Sequence, residues 1–309
     1  MMRKKNRQVS PADPAPVGST VPENWQGGDV MLRLEHITYR YSAGTPFEVK
    51  ALDDVTLDIR RGRITGLIGH TGSGKSTLVQ LLNGLTRPEA GRVLLDGQDI
   101  WQDPKQIGKV RFRVGLVMQY PEYQLFEETV RAVAGFSLGE IPAAAFAGVD
   151  PSLMDKSPFD LSGGQKRRVA IAGIMAMRPE VLVLDEPAAG LDPQGRRDIF
   201  CGIRAYNRET GSTVVIVSHS MEDMAQYCDD VAVMAHARLL MTGTRDEVFA
   251  RADELEAVGL DIPVITKLSA LLRQGGMPLD PGLYTLEAAE AALAQVFGLP
   301  ADREGGRKR

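Results

Sequence analysis

The chain is poor in cysteine. Its 309 residues hold two, Cys201 and Cys228, without metal-ligand spacing. That excludes a disulfide-stapled scaffold and a cysteine-built zinc site, and it fits reduced thiols in a reducing compartment. Long apolar runs are missing too: the longest, Val169–Met177, falls well short of the ~18 residues a membrane helix needs. Any membrane role therefore needs a partner. There is no basic excess either. The net charge of -4 leaves no global footprint for nucleic acid. Arg3, Lys4, Lys5 and Arg7 open the chain, but no apolar stretch follows them, which does not fit a secretory leader. Residues 1–29 are rich in proline, glycine and polar side chains and read as a disordered tail, with Met31 as an alternative start. The remainder, with 43% hydrophobic and 25% charged residues overall, is ordinary for a soluble globular protein and long enough for one large core and a satellite domain.

One stretch organises the rest: Gly69-His70-Thr71-Gly72-Ser73-Gly74-Lys75-Ser76-Thr77. It follows the apolar run Ile64–Ile68 and precedes Leu78–Leu82, so it reads as strand, glycine-rich loop, helix. The spacing fits G-x-x-x-x-G-K-[ST], in which backbone N–H groups and a helix start cradle a polyphosphate. Lys75 is placed for the β- and γ-phosphates, and the Ser76 hydroxyl for Mg2+.

Further segments repeat the strand–helix alternation that implies a parallel sheet. Leu32, Leu34 and His36 alternate with polar residues in an edge-strand pattern. Tyr41, just upstream of the loop, is either a nucleobase-stacking aromatic or a sheet-packing one. Val114–Gln119 is a short buried strand ending in a glutamine. Ser162-Gly163-Gly164-Gln165 caps the helix Lys166–Met177 and makes a second anion-binding helix start. Val181–Leu184 is a buried strand followed by Asp185 and Glu186. Paired acids after a strand are commonly a solvated turn. Behind a phosphate loop, Asp185 is a Mg2+ holder and Glu186 a base for water. His219 ends the strand Thr213–Val217, within reach of a γ-phosphate.

The ordered set of phosphate loop, Gln119, Leu161–Gln165, Asp185-Glu186, Gly190-Leu191-Asp192 and His219 resembles the ATP-binding-cassette ATPases over residues 31–245. Gly69-His70-Thr71-Gly72, Gln119–Phe126, Ser157-Pro158-Phe159 and Gly259–Pro263 narrow the likeness to the ATPase subunits of energy-coupling-factor transporters. Thr45–Glu48 and Gln119-Tyr120-Pro121 look most like the second of the two paralogous ATPases. The resemblance implies an α/β P-loop cassette (30–245) with a parallel-sheet core, an antiparallel β subdomain and a short helical subdomain near 120–160, followed by a small C-terminal helical domain (246–300) and a polar tail. It also implies two ATP molecules between two chains, each held by Tyr41 and Gly69–Thr77 (His70, Thr71, Gly72, Ser73, Gly74, Lys75 and Ser76 among them) of one chain and Ser162, Gly163, Gly164 and Gln165 of the other. Mg2+ would sit at Ser76, Gln119 and Asp185, with Glu186 and His219 catalytic. The implied partners are a paralogous ATPase, a transmembrane coupling subunit and a substrate-binding membrane subunit at the cytoplasmic face of the membrane. Nucleic acid is not among them. A homodimeric cobalt- or nickel-importer ATPase is the nearest alternative.

Three departures stand out. Ala188 replaces a usual threonine. Ala235–Arg238 replaces a glycine-containing turn and weakens the case for a hairpin there. Residues 127–156 are about one helix short, through either a deletion or a slimmer subdomain. The helical pattern of 246–300 serves either subunit contact or packing onto its own cassette.

Overall fold

The computed structural model describes residues 29–120, 124–133, 142–280 and 282–299. The N-terminal tail, Pro121-Glu122-Tyr123, Gly135, Gly139 and the polar tail from 301 lie outside the described residues. The chain runs through strands β1 (Val30–Tyr41), β2 (Val49–Arg60) and β3 (Ile64–Gly69), helix α1 (Lys75–Leu82), strands β4 (Ala90–Leu95) and β5 (Gln98–Asp99), helix α2 (Ile107–Arg113) and strand β6 (Val114–Val117). Helices α3 (Val130–Val133), α4 (Pro142–Ala147) and α5 (Gly163–Ala176) follow. Then come β7 (Val181–Asp185), α6 (Pro193–Thr210), β8 (Thr213–Val217), α7 (Met221–Tyr227), β9 (Asp230–Ala235) and β10 (Arg238–Thr244). The chain ends with α8 (Arg245–Phe249), α9 (Ala252–Ala257), α10 (Val264–Gln274) and α11 (Leu286–Val296).

Two sheets form. One is antiparallel, in the order β2-β1-β4-β5. The other runs β10-β9-β3-β8-β7-β6 and is parallel except for β10. Its parallel strands β3, β6, β7, β8 and β9 are buried residue by residue because both faces are covered, whereas the edge strand β10 alternates. Val181 and Val183 of β7 and Val215 and Val217 of β8 face a core shared with the antiparallel sheet and α1. Leu182, Leu184, Val214 and Ile216, one residue out of phase, face a second core with α5, α6 and α7. Each such side chain contributes about 1.5–3 kcal/mol, so a one-residue slip in register would misplace both sets.

Several expectations need correction. Strand β1 is not an edge: β2 and β4 flank it. His36 breaks its alternation with φ 52 at a bulge, leaving His36 exposed and Ile37 buried. The helical pattern that opens the 246–300 segment, expected as one helix over 246–258, is two helices, α8 and α9, separated at Ala250 and Arg251. The hairpin β9–β10 does form, although His236 and Ala237 both hold positive φ (49 and 65) in place of glycine. Strand β2 stabilises that turn. The Asp53 N–H donates to the Ala237 carbonyl at 2.8 Å, and Arg238 Nε donates to the Asp53 carboxylate at 2.8 Å.

The described part of the helical subdomain is slim. Its helices α3 and α4 have 4 and 6 residues. Helix α4 lies against α6, where Phe146 meets Tyr206 edge-on at 5.7 Å. The approach depends on Gly202, because a Cβ there would stand 1.7 Å from the Phe146 carbonyl oxygen. Gly202→Ala should normally strengthen a helix interior by about 1 kcal/mol. Here the backbone clash dominates, and the expected outcome is a net loss of roughly 1–3 kcal/mol in urea unfolding. A gain would show that α4 does not rest on α6.

Candidate functional site

All the parallel strands deliver their carboxyl ends to one edge of the sheet, where ligands bind in open α/β sheets. Strand β3 delivers the glycine-rich loop, β6 Gln119, β7 Asp185 and β8 His219. The register aligns them, pairing Leu67 with Val217, Val217 with Asp185 and Leu184 with Val117.

The loop closes tightly. Gly74 caps α1 with φ 101, and a Cβ on it would stand 2.3 Å from the Ala51 carbonyl oxygen, so only glycine fits. Lys75 is buried and donates through Nζ to the carbonyls of Gly69 (2.6 Å) and His70 (2.7 Å). Burial pushes its pKa down, against the upward pull of Glu186 and Asp185. Burial raises the pKa of Asp185, against the downward pull of the neighbouring Ser76 hydroxyl. Ser76, Gln119 and Asp185 line one cavity of about 220 Å³ with Val79, Gln80 and Met118. Two hard oxygens and a carboxamide are a donor set that suits Mg2+ shared with phosphate oxygens. Among the described residues no cluster of three or more His, Cys, Asp or Glu could hold a metal unaided. A cavity of about 470 Å³ at the opposite edge of the sheet, lined by Arg61, Phe146, Arg178, Glu180 and Tyr206, contains none of Lys75, Ser76, Gln119, Asp185 or Glu186.

Glu186 carries the most distinctive environment. Its backbone holds φ 51, fixed by its N–H to the Val217 carbonyl at 3.0 Å. Its Oε1 is buried without a hydrogen bond, 3.3 Å from His219 Nε2 but not aligned with it. The nearby backbone N–H of His219 favours the ionised carboxylate, but only weakly beside the effect of burial. Burial first, then the neighbouring Asp185, push Glu186 up from 4.5 to about 7. Burial and Lys75 push His219 down, so its ring is neutral at neutral pH.

The other residues singled out by the sequence are placed as follows. The Tyr41 hydroxyl and Thr77 Oγ1 lie 3.0 Å apart, and the Tyr41 ring stands edge-on to Tyr39 at 5.0 Å. Ser73 is buried; Thr71 and Gly72 are exposed. The ring of His70 turns to the C-terminal segment and donates from Nε2 to the Val258 carbonyl. Ser162 and Gln165 form a reciprocal capping box on α5, and a Cβ on Gly163 would meet only open space. None of Ser162–Gln165 lines the Ser76–Asp185 cavity.

Two residues that sequence reasoning passed over hold the site together. Arg167, buried on α5, donates through Nη2 to the Gln119 carbonyl at 2.9 Å and through Nη1 to the Glu186 carbonyl. Gln124 accepts from the Met118 N–H at 3.2 Å and donates to the Leu116 carbonyl at 3.1 Å, shaping the loop that bears Gln119. An arginine five residues after a good N-cap is the one local signal, and nothing nearby in sequence names its partners.

The raised Glu186 pKa has a sign in stability. Below about 4.5 both folded and unfolded chains are protonated there, so it contributes nothing. Between about 4.5 and about 7 the unfolded chain releases a proton that the folded chain keeps, and a destabilising cost grows until it levels off. Glu186→Gln removes that cost. Without nucleotide, its unfolding midpoint should exceed that of the parent by a few degrees at pH 8 and match it at pH 4. Equal midpoints at pH 8 would mean that the carboxylate is better solvated than its burial implies.

The ABC transporter family profile matches residues 52–189. The energy-coupling factor transporter ATP-binding protein EcfA2 of Symbiobacterium thermophilum is 51% identical over 276 residues, covering 85% of this chain and 96% of its own. The protein of the same name from Clostridium acetobutylicum is 47% identical over 279 residues, covering 86% and 98%. Among solved structures, cbiO1 from Clostridium perfringens, part of the ABC transporter complex cbiONQ, superposes with a TM-score of 0.65 at 37% identity, over 79% of this chain and 99% of that one. An ATP-binding cassette solved as a dimer, in a post-hydrolysis state bound to ADP and phosphate, superposes with a TM-score of 0.64 at 26% identity, over 70% and 99%. With half its residues shared along nearly the full length of such a relative, the chain belongs to the ATP-binding proteins of energy-coupling factor transporters, within the ABC transporter family.

Proposed function

We propose that this chain hydrolyses ATP at the carboxyl edge of its parallel sheet, as the second ATPase subunit of an energy-coupling factor importer for a micronutrient. The observation that carries the chemistry is Glu186: a buried carboxylate with an unpaired Oε1, beside a neutral His219 and across from Lys75. Lys75 and the N–H groups of residues 70–77 bind the β- and γ-phosphates, and Tyr41 receives the base. Ser76, Asp185 and Gln119 would hold Mg2+, which when bound neutralises phosphate charge. Glu186 takes the proton of the attacking water, and His219 donates to the γ-phosphate.

Ionised Glu186 is the working form. Turnover should therefore climb as pH rises through about 7 and level off above it. Glu186→Gln should keep ATP affinity in equilibrium dialysis while lowering kcat by about 10²–10⁴-fold. Parent-like turnover in that variant would remove Glu186 from the role.

The open helix start at Ser162–Gly164 supports a two-chain site, since it stands outside its own chain's cavity. A dimeric solved neighbour bound to ADP and phosphate is in keeping with that arrangement. The second chain is a paralogous ATPase in this reading. Val264, Leu268 and Leu271, exposed at helical spacing on α10, supply an apolar stripe for pairing. Leu255, Leu260 and Ile262 instead pack into the chain's own core, so the C-terminal segment serves both purposes.

No helix among the described residues is long and apolar enough to cross a membrane. The chain works at the cytoplasmic face, beneath a transmembrane coupling subunit and a substrate-binding membrane subunit. Their docking site is a groove of about 480 Å³ lined by Leu125, Phe126, Val133, Gly173, Ile174 and Met177, with Phe126 77% exposed at its rim. Phe126→Ala should reduce uptake in reconstituted vesicles several-fold while ATP binding stays unchanged, as expected for an exposed aromatic anchor. Normal uptake would place the docking elsewhere.

A further inference from the structure

His70 belongs to the glycine-rich loop, yet its side chain is committed to the C-terminal segment. Helix α9 ends in a turn that satisfies two of its last carbonyls. The Gly259 N–H donates to the Glu256 carbonyl at 2.8 Å and the Leu260 N–H to the Leu255 carbonyl at 2.9 Å, with Gly259 at φ +71. This is the glycine-terminated helix end that leaves the carbonyl of the capping residue unpaired. That residue is Val258, and the Nε2–H of His70 supplies the partner. Gly259 keeps the approach clear, because a Cβ on it would stand 3.3 Å from His70 Nε2 and 3.4 Å from Cε1. Leu255, Leu260 and Ile262 are buried in the core on both sides of the contact, so the carbonyl is presented by a fixed segment.

On the loop side, the backbone of the same residue holds the lysine. The His70 carbonyl accepts from the Ser73 N–H at 3.1 Å and from Lys75 Nζ at 2.7 Å. We propose that His70 is a positioning residue that clamps the phosphate loop to the Val258–Leu260 turn, so that the C-terminal segment fixes the loop which presents Lys75. A glycine-rich loop otherwise pays its ordering entropy when the polyphosphate arrives. The ring acts through the loop and not on the nucleotide. The proposal rests on the reading of residues 69–77 as the nucleotide loop.

The test uses the full chain and two measurements: hydrogen exchange without nucleotide, and steady-state ATP hydrolysis with ATP titration. His70→Ala should speed exchange of the amides of 70–75 and of 258–260 together, by about tenfold. It should weaken ATP binding by about 3- to 10-fold, raising KM for ATP more than it lowers kcat. His70→Gln, which keeps a donor at similar reach, should restore most of both effects. Gly259→Ala should speed exchange in the loop although it lies outside it. Exchange changes confined to one of the two segments, equal losses in the Ala and Gln variants, or unchanged ATP affinity in His70→Ala would each overturn the proposal. A parent chain that binds no ATP would count against the nucleotide-site reading instead, and the exchange measurement would still decide whether the clamp exists.

Discussion

The site depends on one buried cation. Arg167 is buried, and its guanidinium donates to the backbone carbonyls of Gln119 and Glu186. A buried arginine must find acceptors or cost several kcal/mol, so the chain has little freedom in where these two carbonyls sit. One follows β6, the other follows β7, and the arginine comes from the first turns of α5. Three segments far apart in sequence are thus fixed by one rigid fork of donors. The positive φ of Glu186 persists because its N–H and its carbonyl are each held by a different neighbour, Val217 and Arg167.

The electrostatics follow from that geometry. Asp185 ends up buried and Glu186 largely so, side by side, with the Lys75 ammonium favouring the charged form of both. Two adjacent carboxylates in a dry site cannot ionise as if alone. Asp185 has Ser76 to favour its charged form, whereas Glu186 keeps an unpaired oxygen. Their environments push them apart, one toward binding a cation and the other toward accepting a proton near neutral pH. The same burial that makes the strands apolar on both faces therefore sets the acid–base chemistry at their ends.

What the sequence revealed and what it hid divide along physical lines. The phosphate loop, the apolar strands and the Ser162 cap were legible because their signals are local: glycine spacing, a run of Val and Leu, a hydroxyl before a helix. The inward strand β1 read as an edge because a single-sequence alternation cannot tell whether the polar side faces water or another strand. The bulge at His36 and the break between α8 and α9 went unread, and the glycine-free turn at His236-Ala237 counted against a hairpin that does form, since each is held by partners remote in sequence. The turn leans on Asp53, and the break sits where Leu255 and Phe249 enter the core. Arg167, Gln124 and the ring of His70 were silent for the same reason. Their acceptors are backbone carbonyls, which carry no side-chain signature at all.

Helix α5 joins these observations. Its start, Ser162–Gln165, is a capped end that stands open beyond Gly163 and outside the Ser76–Asp185 cavity. Its second turn carries Arg167 to the two site carbonyls, and its third and fourth turns bring Ala170, Gly173 and Ile174 to the groove under Phe126. A helix of this length with a satisfied cap moves as a rod. The slim insert cannot absorb such movement by swinging freely, since α4 is seated on α6 through Gly202 and Tyr206. Pressure at the groove would then reach the cap and the Glu186 carbonyl together, in a direction set by one helix.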